Sequence, residues 1–505
     1  MSGAEPNGTL LTVLEGGRDA DPAIVVPEGP RLTYGGVRAQ VRQTADFLAG
    51  LGLGRTDRVA LVLPNGPEAI VLFLGAAAAA TAAPLNPAYT EDEFRFYFED
   101  TSAKSVIVPP GGAEAARAAL PEGVPVIEAA IDAAGKLHLE CAAPLRHGAT
   151  ASAPTGDDVA LVLHTSGTTS RPKRVPLRHQ NLAASVDNII ATYQLGPEDV
   201  SLCVMPLFHV HGLVASTLAA FGSGGTVVVP ARFNPLGFWP IVRDHRATWY
   251  SAVPTIHQLL LARSRVGERP AGAESLRFIR SCSSALAPET MRLLEDRFGA
   301  PVLEAYGMTE ASHQMSSNPL PPEPRLAGSV GRGTGVQIGI MDDQGTLLPT
   351  GSAGEVVIQG PNVTAGYENN PAANAEAFTK GWFRTGDLGV LDEAGYLSLL
   401  GRIKELINRG GEKIAPREID ELLQSHPAVA EAVSFGMPHP VWGEEVGVAV
   451  VLKGEATEAD LVKHCRESLA EFKVPKKVFI LDAIPRTATG KVQRRNVAAA
   501  LGLDR

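Results

Sequence analysis

The stretch Val159-Ala-Leu-Val-Leu-His-Thr-Ser-Gly-Thr-Thr-Ser-Arg-Pro-Lys173 joins an apolar run to a loop of hydroxyl residues that ends in lysine. The run predicts a buried strand. The loop concentrates side-chain and backbone donors, which suits a polyphosphate, although a Ser/Thr-rich surface turn is the alternative. The candidate phosphate contacts are Thr165, Ser166, Gly167, Thr168, Thr169 and Lys173.

This loop differs from the common nucleotide motifs. A Walker A loop needs a second glycine before its lysine and a Ser or Thr after it, and both are missing around Lys173. No GxGxxG pattern follows a predicted strand, so a dinucleotide-binding fold gains no support.

Around the loop, short aliphatic runs alternate with longer Ala- and Leu-rich segments over residues 30–320, which predicts layered α/β sheets with buried parallel strands. From about 328 to 400, Gly, Pro and Asn separate short strands, which indicates a β-rich, barrel-like part. A smaller α+β unit follows. The predicted division is therefore 1–400, a linker at 401–404, and 405–505.

Composition limits the function classes. The chain has 505 residues, 45% hydrophobic and 20% charged, which excludes a single small module and wholesale disorder. A net charge of −10 argues against nucleic-acid binding, because phosphate backbones require cations. The uncharged stretch from Ala69 to Thr90 is interrupted by prolines, so we predict a buried helix followed by a loop, and no membrane span.

The predicted compartment is the cytoplasm. Four separated cysteines without a CxxC pair suggest neither disulfides nor a thiolate metal site. The chain shows no secretory pattern at its start and no SKL-type tripeptide at its end. No obligatory protein partner is expected.

Five segments in order resemble the adenylate-forming superfamily, which includes acyl-CoA synthetases, luciferases and peptide-synthetase adenylation domains. They are TSGTTSRPK from Thr165, AYGMTE from Ala305, TGD from Thr385, GRIK from Gly401 with Gly410 and Gly411, and PRTATGK from Pro485. The resemblance covers residue 30 to the C-terminus. It implies a large N-terminal domain and a small mobile C-terminal lid.

The reaction of that superfamily joins a carboxylate to the α-phosphate of ATP, so the site must supply cations and oriented donors. The resemblance implies that Lys491, in a basic stretch, bridges the two anions. It places Thr309 and Glu310 at the α-phosphate, with Glu310 holding Mg²⁺. Tyr306 is expected at the adenine, and Asp387 and Arg402 at the ribose.

The segment at Gly401 to Lys404 also lies where the charge balance of the chain changes. The resemblance implies that Lys404 is the pivot about which the lid turns between adenylation and attack by the thiol of coenzyme A. Gly410 and Gly411 then approach the acyl site. A rigid linker is the alternative interpretation.

The acid is indicated by MPLFHVHG, from Met205, and by the segments around Ser283 and His313. No metal-ligand spacing surrounds the two histidines of the first segment, so zinc is not expected. The resemblance places His209 at the acyl pocket, whereas His211 is a candidate structural residue. Ser284 and Ala285 are candidate nucleotide contacts.

Ser283, Ser284, His313 and Gln314 make the predicted pocket polar, which favours a short acid with a second polar or charged group. Four longer segments are most similar to the oxalate-activating branch, so oxalate is the expected acid. Ser283 and His313 are then the candidates for its distal carboxylate, with a packing role for His313 as the alternative.

Other functions stay open at this stage. The chain could activate another short-chain, medium-chain or aromatic acid, load a separate carrier protein, or be an inactive nucleotide-binding sensor. The absence of an appended carrier-like module favours coenzyme A as the thiol.

One residue departs from the superfamily pattern. Arg174 stands where the loop usually has glycine after its Pro-Lys pair. Arginine lacks the freedom of glycine at positive φ and adds a charge. We expect its side chain either to point to solvent or to reach pyrophosphate oxygens.

Overall fold

The computed structural model describes residues 8–146, 148–165, 172–486, 492 and 494–503, with only the backbone of 495 and 496. The strands are β1 Pro22–Val25, β2 Arg31–Thr33, β3 Arg58–Leu61, β4 Thr81–Pro84, β5 Ala103–Val108, β6 Val126–Ile131, β7 Leu137–Cys141, β8 Val159–His164, β9 Arg174–Arg178, β10 Val200–Cys203, β11 Thr226–Val228, β12 Trp249–Ala252, β13 Phe278–Ser281, β14 Val302–Met308, β15 His313–Ser317, β16 Arg332–Gly333, β17 Gln337–Met341, β18 Ala353–Gln359, β19 Phe378–Thr379, β20 Trp382–Leu391, β21 Leu397–Arg402, β22 Ile407–Arg409, β23 Glu412–Ile414, β24 Val429–His439, β25 Gly443–Leu452 and β26 Lys477–Ile480.

The α-helices are α1 Tyr34–Gly50, α2 Pro67–Ala79, α3 Glu91–Thr101, α4 Glu114–Ala118, α5 His179–Tyr193, α6 Ala219–Gly222, α7 Phe238–His245, α8 Pro254–Ala262, α9 Pro288–Phe298, α10 Pro371–Ala377, α11 Pro416–Ser425, α12 Glu458–Arg466 and α13 Arg494–Ala500. A π-helix spans His211–Leu218, and short 3₁₀ turns include Thr309–Ala311 and Ile403–Glu405.

Two mixed sheets form the larger part of the molecule. One has the order β7-β6-β5-β3-β4-β8-β9 and is parallel except for the antiparallel edge pairs β6–β7 and β8–β9. The other has the order β16-β15-β14-β13-β12-β10-β11-β1-β2, with a parallel centre and antiparallel ends. Their buried central strands explain the continuous apolar runs in the sequence.

Helix α2 lies in the main apolar core and is apolar on nearly every side. Its close approach to α1 requires Gly75, because a Cβ there would lie 2.4 Å from Cβ of Thr44. The prediction of a buried helix in this stretch is confirmed, but the predicted loop after it is wrong at Thr81–Pro84. Those residues form β4, because parallel neighbours β3 and β8 on either side pair with its backbone.

The region after β16 forms a five-stranded antiparallel sheet, β17-β18-β20-β19, with β21 paired to β20. A separate sheet, β23-β22-β25-β24 with β26 parallel to β25, forms the last part of the chain. Its own apolar core includes residues of α11 and α12. The 3₁₀ turn Ile403–Glu405 connects these two sheets.

Among the described residues, no helix combines the length and apolar character needed to cross a bilayer. The four cysteines are all described, and all are free thiols.

Candidate active site

The two ends of the phosphate loop are held together by the β8–β9 pair. His164 at the end of β8 lies opposite Arg174 at the start of β9, and the Thr165 N–H donates to the carbonyl of Lys173 at 3.0 Å. The Lys173 ammonium lies 4.5 Å from the centre of the Tyr367 ring, a cation–π distance. The other predicted loop contacts, Ser166, Gly167, Thr168 and Thr169, lie outside the described residues.

Arg174 is held by carboxylates at the base of this loop. Its Nε lies 3.3 Å from Oδ2 of Asp100 on α3, and its Nη1 lies 3.5 Å from Oε2 of Glu368. The same Asp100 oxygen lies 2.9 Å from Nε2 of His164, so one carboxylate contacts both ends of the loop. The side chain of Arg174 is 14% exposed, so the expectation that it points to solvent is wrong.

Glu310 lies in the 3₁₀ turn between β14 and β15 and is buried. Tyr367 donates its hydroxyl hydrogen to Oε1 of Glu310 at 2.8 Å. Burial raises the pKa of the Glu310 carboxyl, while the Tyr367 hydrogen bond and the charges of Arg402 and Lys173 act in the opposite direction. Thr309 is the neighbouring, half-buried residue of the same turn.

This carboxyl fits a magnesium ion bound jointly with phosphate. Tyr367 donates to Oε1 of Glu310, and a carboxylate is a ligand that a hard cation such as Mg²⁺ prefers. In the described part of the chain, no group of three or more His, Cys, Asp or Glu residues could hold a metal by itself. Mg²⁺ commonly takes one or two carboxylates and completes its shell with phosphate oxygens and water.

A second buried carboxyl, Asp387, contacts the residues that the sequence predicts at the ribose and at the adenine. Nε of Arg402 lies 2.7 Å from Oδ1 of Asp387, and the Tyr306 hydroxyl donates to Oδ2. Asp387 and Arg402 are directly paired across β20 and β21, which explains why the two sequence motifs meet. Burial raises the pKa of Asp387 and the Arg402 charge lowers it in part. Two separated motifs thus form one polar cluster beside the Tyr306 ring.

The segment carrying His209 is fixed by Asn65, which accepts from the Leu207 N–H at 3.0 Å and donates to the carbonyl of Met205 at 3.0 Å. The ring of His209 packs on Phe208 with centroids 4.6 Å apart. The π-helix His211–Leu218 follows directly, and such helices are frequent at functional sites.

His211 connects the predicted acyl contacts. Its Nδ1 lies 3.0 Å from Oγ of Ser283, and its ring stacks on His313 with centroids 5.2 Å apart. Ser283 and His313 both have positive φ, 72° and 105°, which is strained for residues other than glycine and is typical of functional sites. The structure therefore brings Ser283 and His313 together around a histidine that the sequence treated as structural.

Behind these residues lies Arg280 of β13, whose side chain is completely buried. Its guanidinium contacts Ser251, His313, Gln314 and Tyr193 at 2.8–3.0 Å. Sequence reasoning missed Arg280 and Tyr367. The charged residue in the apolar strand of LRFIRS was a signal for Arg280, whereas no local pattern marked Tyr367.

The remaining candidates occupy exposed positions. Ser284 and Ala285 follow β13 and are exposed, as is Lys404 in the turn Ile403–Glu405. Gly410 and Gly411 form the two-residue turn of the β22–β23 hairpin, with φ of 59° and 97°. Lys491 lies outside the described residues.

Comparison with known proteins defines the class to which this fold and site belong. The family model described as AMP-binding enzyme matches residues 16–368, and the model for its C-terminal domain matches residues 418–491. The chain belongs to the AMP-binding enzyme family, and the predicted resemblance to adenylate-forming enzymes is confirmed.

Several individual proteins are similar to this chain over most of its length. An oxalate–CoA ligase of Arabidopsis thaliana is 50% identical over 467 residues, covering 90% of this chain and 91% of the relative. An oxalate–CoA ligase of Saccharomyces cerevisiae is 48% identical, with 88% and 87% covered. The crystal structure of ATP-bound MatB from Rhodopseudomonas palustris superposes with a TM-score of 0.88 at 32% identity and covers 99% of both chains. The predicted α/β fold with a C-terminal domain is confirmed.

Proposed function

We propose that this protein is an AMP-forming acid–CoA ligase whose acid is oxalate. An oxalate oxygen attacks the α-phosphorus of ATP and diphosphate leaves. The sulfur of coenzyme A then attacks the activated carbonyl carbon, and AMP leaves with the oxygen that came from oxalate. The plant relative and the yeast relative are both named oxalate–CoA ligase, which supports oxalate as the substrate.

The observation that carries the choice of acid is the polar cluster of Ser283, His211 and His313 in front of a buried guanidinium. A fatty or aromatic acid would place apolar groups against this polar cluster and offer it no acceptor, which is unfavourable in a buried site. A second carboxylate provides acceptors for them. The cluster therefore favours a short diacid.

The nucleotide binds between the residues around Glu310 and those around Asp387. Thr165 and Lys173 contact the phosphates, Asp387 accepts from the ribose hydroxyls beside Arg402, and Tyr306 contributes its ring to the adenine pocket. Glu310 would hold a magnesium ion together with the triphosphate, and that ion would supply positive charge there. Thr309 contacts the α-phosphate, and Lys491 bridges it to the acid.

The lid contributes to the second half-reaction. We place the boundaries at 1–400, 401–404 and 405–505, with Lys404 as the pivot that carries Gly410 and Gly411 to the acyl site. The turn Ile403–Glu405 between two separate sheets supports this position. Four free cysteines agree with a reducing cytoplasm as the compartment.

The test compares acids in the purified full-length chain. Diphosphate exchange is measured with oxalate, malonate, acetate, octanoate and 4-coumarate, and thioester formation is then measured with coenzyme A. We expect oxalate to give the highest kcat/KM and to yield oxalyl-CoA with AMP. A preference for octanoate or 4-coumarate would contradict the proposal that oxalate is the substrate.

Two further outcomes identify the alternative functions. An adenylate formed without any thioester favours loading of a carrier protein. No AMP with any acid favours an inactive nucleotide sensor.

A further inference from the structure

Arg280 is unusual because it carries a full charge in a completely buried position without an acidic partner. Its Nε donates to the hydroxyl of Tyr193 at 2.8 Å and its Nη1 to Oγ of Ser251 at 2.9 Å. Its Nη2 contacts Nε2 of His313 and Oε1 of Gln314, both at 3.0 Å. Arg280 forms no ion pair with any carboxylate of the described residues, whereas Arg277 and Arg384 do form such pairs. All of these acceptors are neutral.

Burying a cation among neutral acceptors is unfavourable in free energy, because these acceptors replace only part of its lost hydration. Arg277, directly before β13, follows the usual pattern of a cation paired with a carboxylate. Its Nη1 lies 2.6 Å from both oxygens of Asp199. Among the residues that the structure describes, no carboxylate pairs with Arg280 in this way, and an anionic ligand would supply the counterion.

The contacts of Arg280 also fix the direction of the hydrogen bonds around it. Guanidinium groups only donate, so Nε2 of His313 accepts and the ring proton resides on Nδ1. Nη1 of Arg280 also lies 3.5 Å from Nε2 of His211, so this nitrogen accepts as well. The hydroxyl of Ser251, which accepts from Arg280, then donates to the same nitrogen at 2.6 Å.

The chain continues to Ser283. With Nε2 accepting, His211 carries its proton on Nδ1 and donates it to Oγ of Ser283 at 3.0 Å. The hydroxyl hydrogen of Ser283 is then not used within this network of described residues. Ser283 and His313 are therefore both oriented as donors. His313 contacts Arg280 directly, and Ser283 is connected to Ser251 through His211.

We propose that Arg280 is a positioning residue that selects acids with a second carboxylate. It holds Ser283 and His313 as donors toward that distal carboxylate and provides the charge that compensates it. The inference rests on the proposed function and goes beyond it, because it assigns the discrimination between a diacid and a monoacid to a residue that does not touch the reacting carboxylate. A monoacid of equal length offers no second carboxylate as acceptor for the Ser283 hydroxyl and as counterion for the charge of Arg280.

The test measures kcat/KM in diphosphate exchange for oxalate and for acetate, which has the same number of carbons, together with KM for ATP. The variants are Arg280→Met, which removes the charge at similar volume, and Ser251→Ala, which interrupts the relay to His211. Arg277→Met is the matched control, because it removes an arginine three positions away that is bonded to Asp199. Thermal unfolding of each variant reports on folding.

We expect Arg280→Met to lower the oxalate-to-acetate ratio of kcat/KM by about 10- to 100-fold, with KM for ATP changed less than about twofold. Ser251→Ala should lower the ratio by about 3- to 10-fold. Arg277→Met should reduce thermal stability and leave the ratio unchanged. If Arg280→Met does not fold, the smaller Ser251→Ala change decides the result.

An unchanged ratio in a folded Arg280→Met variant, or in Ser251→Ala where the first does not fold, would overturn the inference. An equal loss for both acids would show a purely structural role and would also overturn it. The proposed function is judged separately, on the wild-type protein. If the wild type prefers another diacid, that diacid and its monoacid of equal length replace oxalate and acetate.

Discussion

At the scale of single residues, the contact between Tyr367 and Glu310 sets the protonation of the predicted magnesium ligand. Burial raises the pKa of Glu310, and the Tyr367 hydroxyl opposes that rise. In Tyr367→Phe the pKa rises further, so the carboxylate is lost at higher pH. We expect the acidic limb of kcat/KM for ATP to move to higher pH.

Tyr396→Phe is the control for this prediction, because that hydroxyl donates to the carbonyl of Pro324 at 2.6 Å. It should cost about 1 kcal/mol of stability and leave the pH profile unchanged. If the acidic limb does not move in Tyr367→Phe, the Tyr367 hydroxyl does not control the ionisation of Glu310, and the prediction is wrong.

Glu304, another buried residue, gives a stability prediction. Its Oε1 accepts from the Leu286 N–H at 3.0 Å, and burial raises its pKa from 4.5 to about 7. The folded state therefore holds a proton that the unfolded state releases. Relative to Glu304→Gln, the wild type should lose about 3 kcal/mol of unfolding free energy as pH rises from about 5 to about 8.

Urea unfolding of both proteins at the two pH values measures this difference. The exposed Glu289, which pairs with Arg292, provides a control substitution, Glu289→Gln, that should show no comparable dependence. Parallel pH profiles for the wild type and Glu304→Gln would refute the assignment.

At the scale of elements, the β8–β9 pair positions the phosphate loop through Asp100 and Glu368 rather than through a glycine turn. Arg174→Gly removes contacts to both carboxylates and restores backbone freedom at the loop base. We expect KM for ATP to rise by about 3- to 10-fold, with kcat changed much less. Initial-rate kinetics with varied ATP measures both parameters.

Arg178→Gly is the control, because this residue ends the same strand and its Nη1 contacts the exposed Asp157 at 3.0 Å. The inhibition constant for diphosphate, which the same loop would bind, should rise no more than KM for ATP does in Arg174→Gly. A larger rise for diphosphate, confined to Arg174→Gly, would show that the side chain reaches diphosphate oxygens.

At the scale of the whole molecule, the proposed hinge separates the two half-reactions. Lys404→Pro restricts φ within the turn Ile403–Glu405. If the lid turns there, diphosphate exchange should stay within about twofold of the wild type while thioester formation falls by about tenfold or more. Glu455→Pro, in an exposed loop of the lid, should affect neither reaction. Equal losses in both half-reactions would argue for a rigid linker.

Much of this arrangement was predictable because it is local. The apolar run at Val159 forms the predicted strand. The motifs around Thr309 and Asp387 were found because their short residue patterns are distinctive. What the sequence could not give were contacts between distant segments.

The Arg280–Tyr193 contact illustrates the limit, because it joins residues 87 positions apart. Tyr306 and Asp387 meet across 81 positions for the same reason. Such contacts depend on how strands are ordered in a sheet, and periodicity within one segment carries no information about that order. The strand at Thr81–Pro84 was missed likewise, since its short apolar sequence becomes a strand through its two neighbours.

In the proposed reaction, an oxalate oxygen attacks the α-phosphorus of ATP before the acyl group passes to coenzyme A. Oxalate labelled with oxygen-18 tests this order directly when the products are analysed by mass spectrometry. We expect one labelled oxygen in each AMP and none in the diphosphate. Unlabelled AMP formed together with oxalyl-CoA would contradict it.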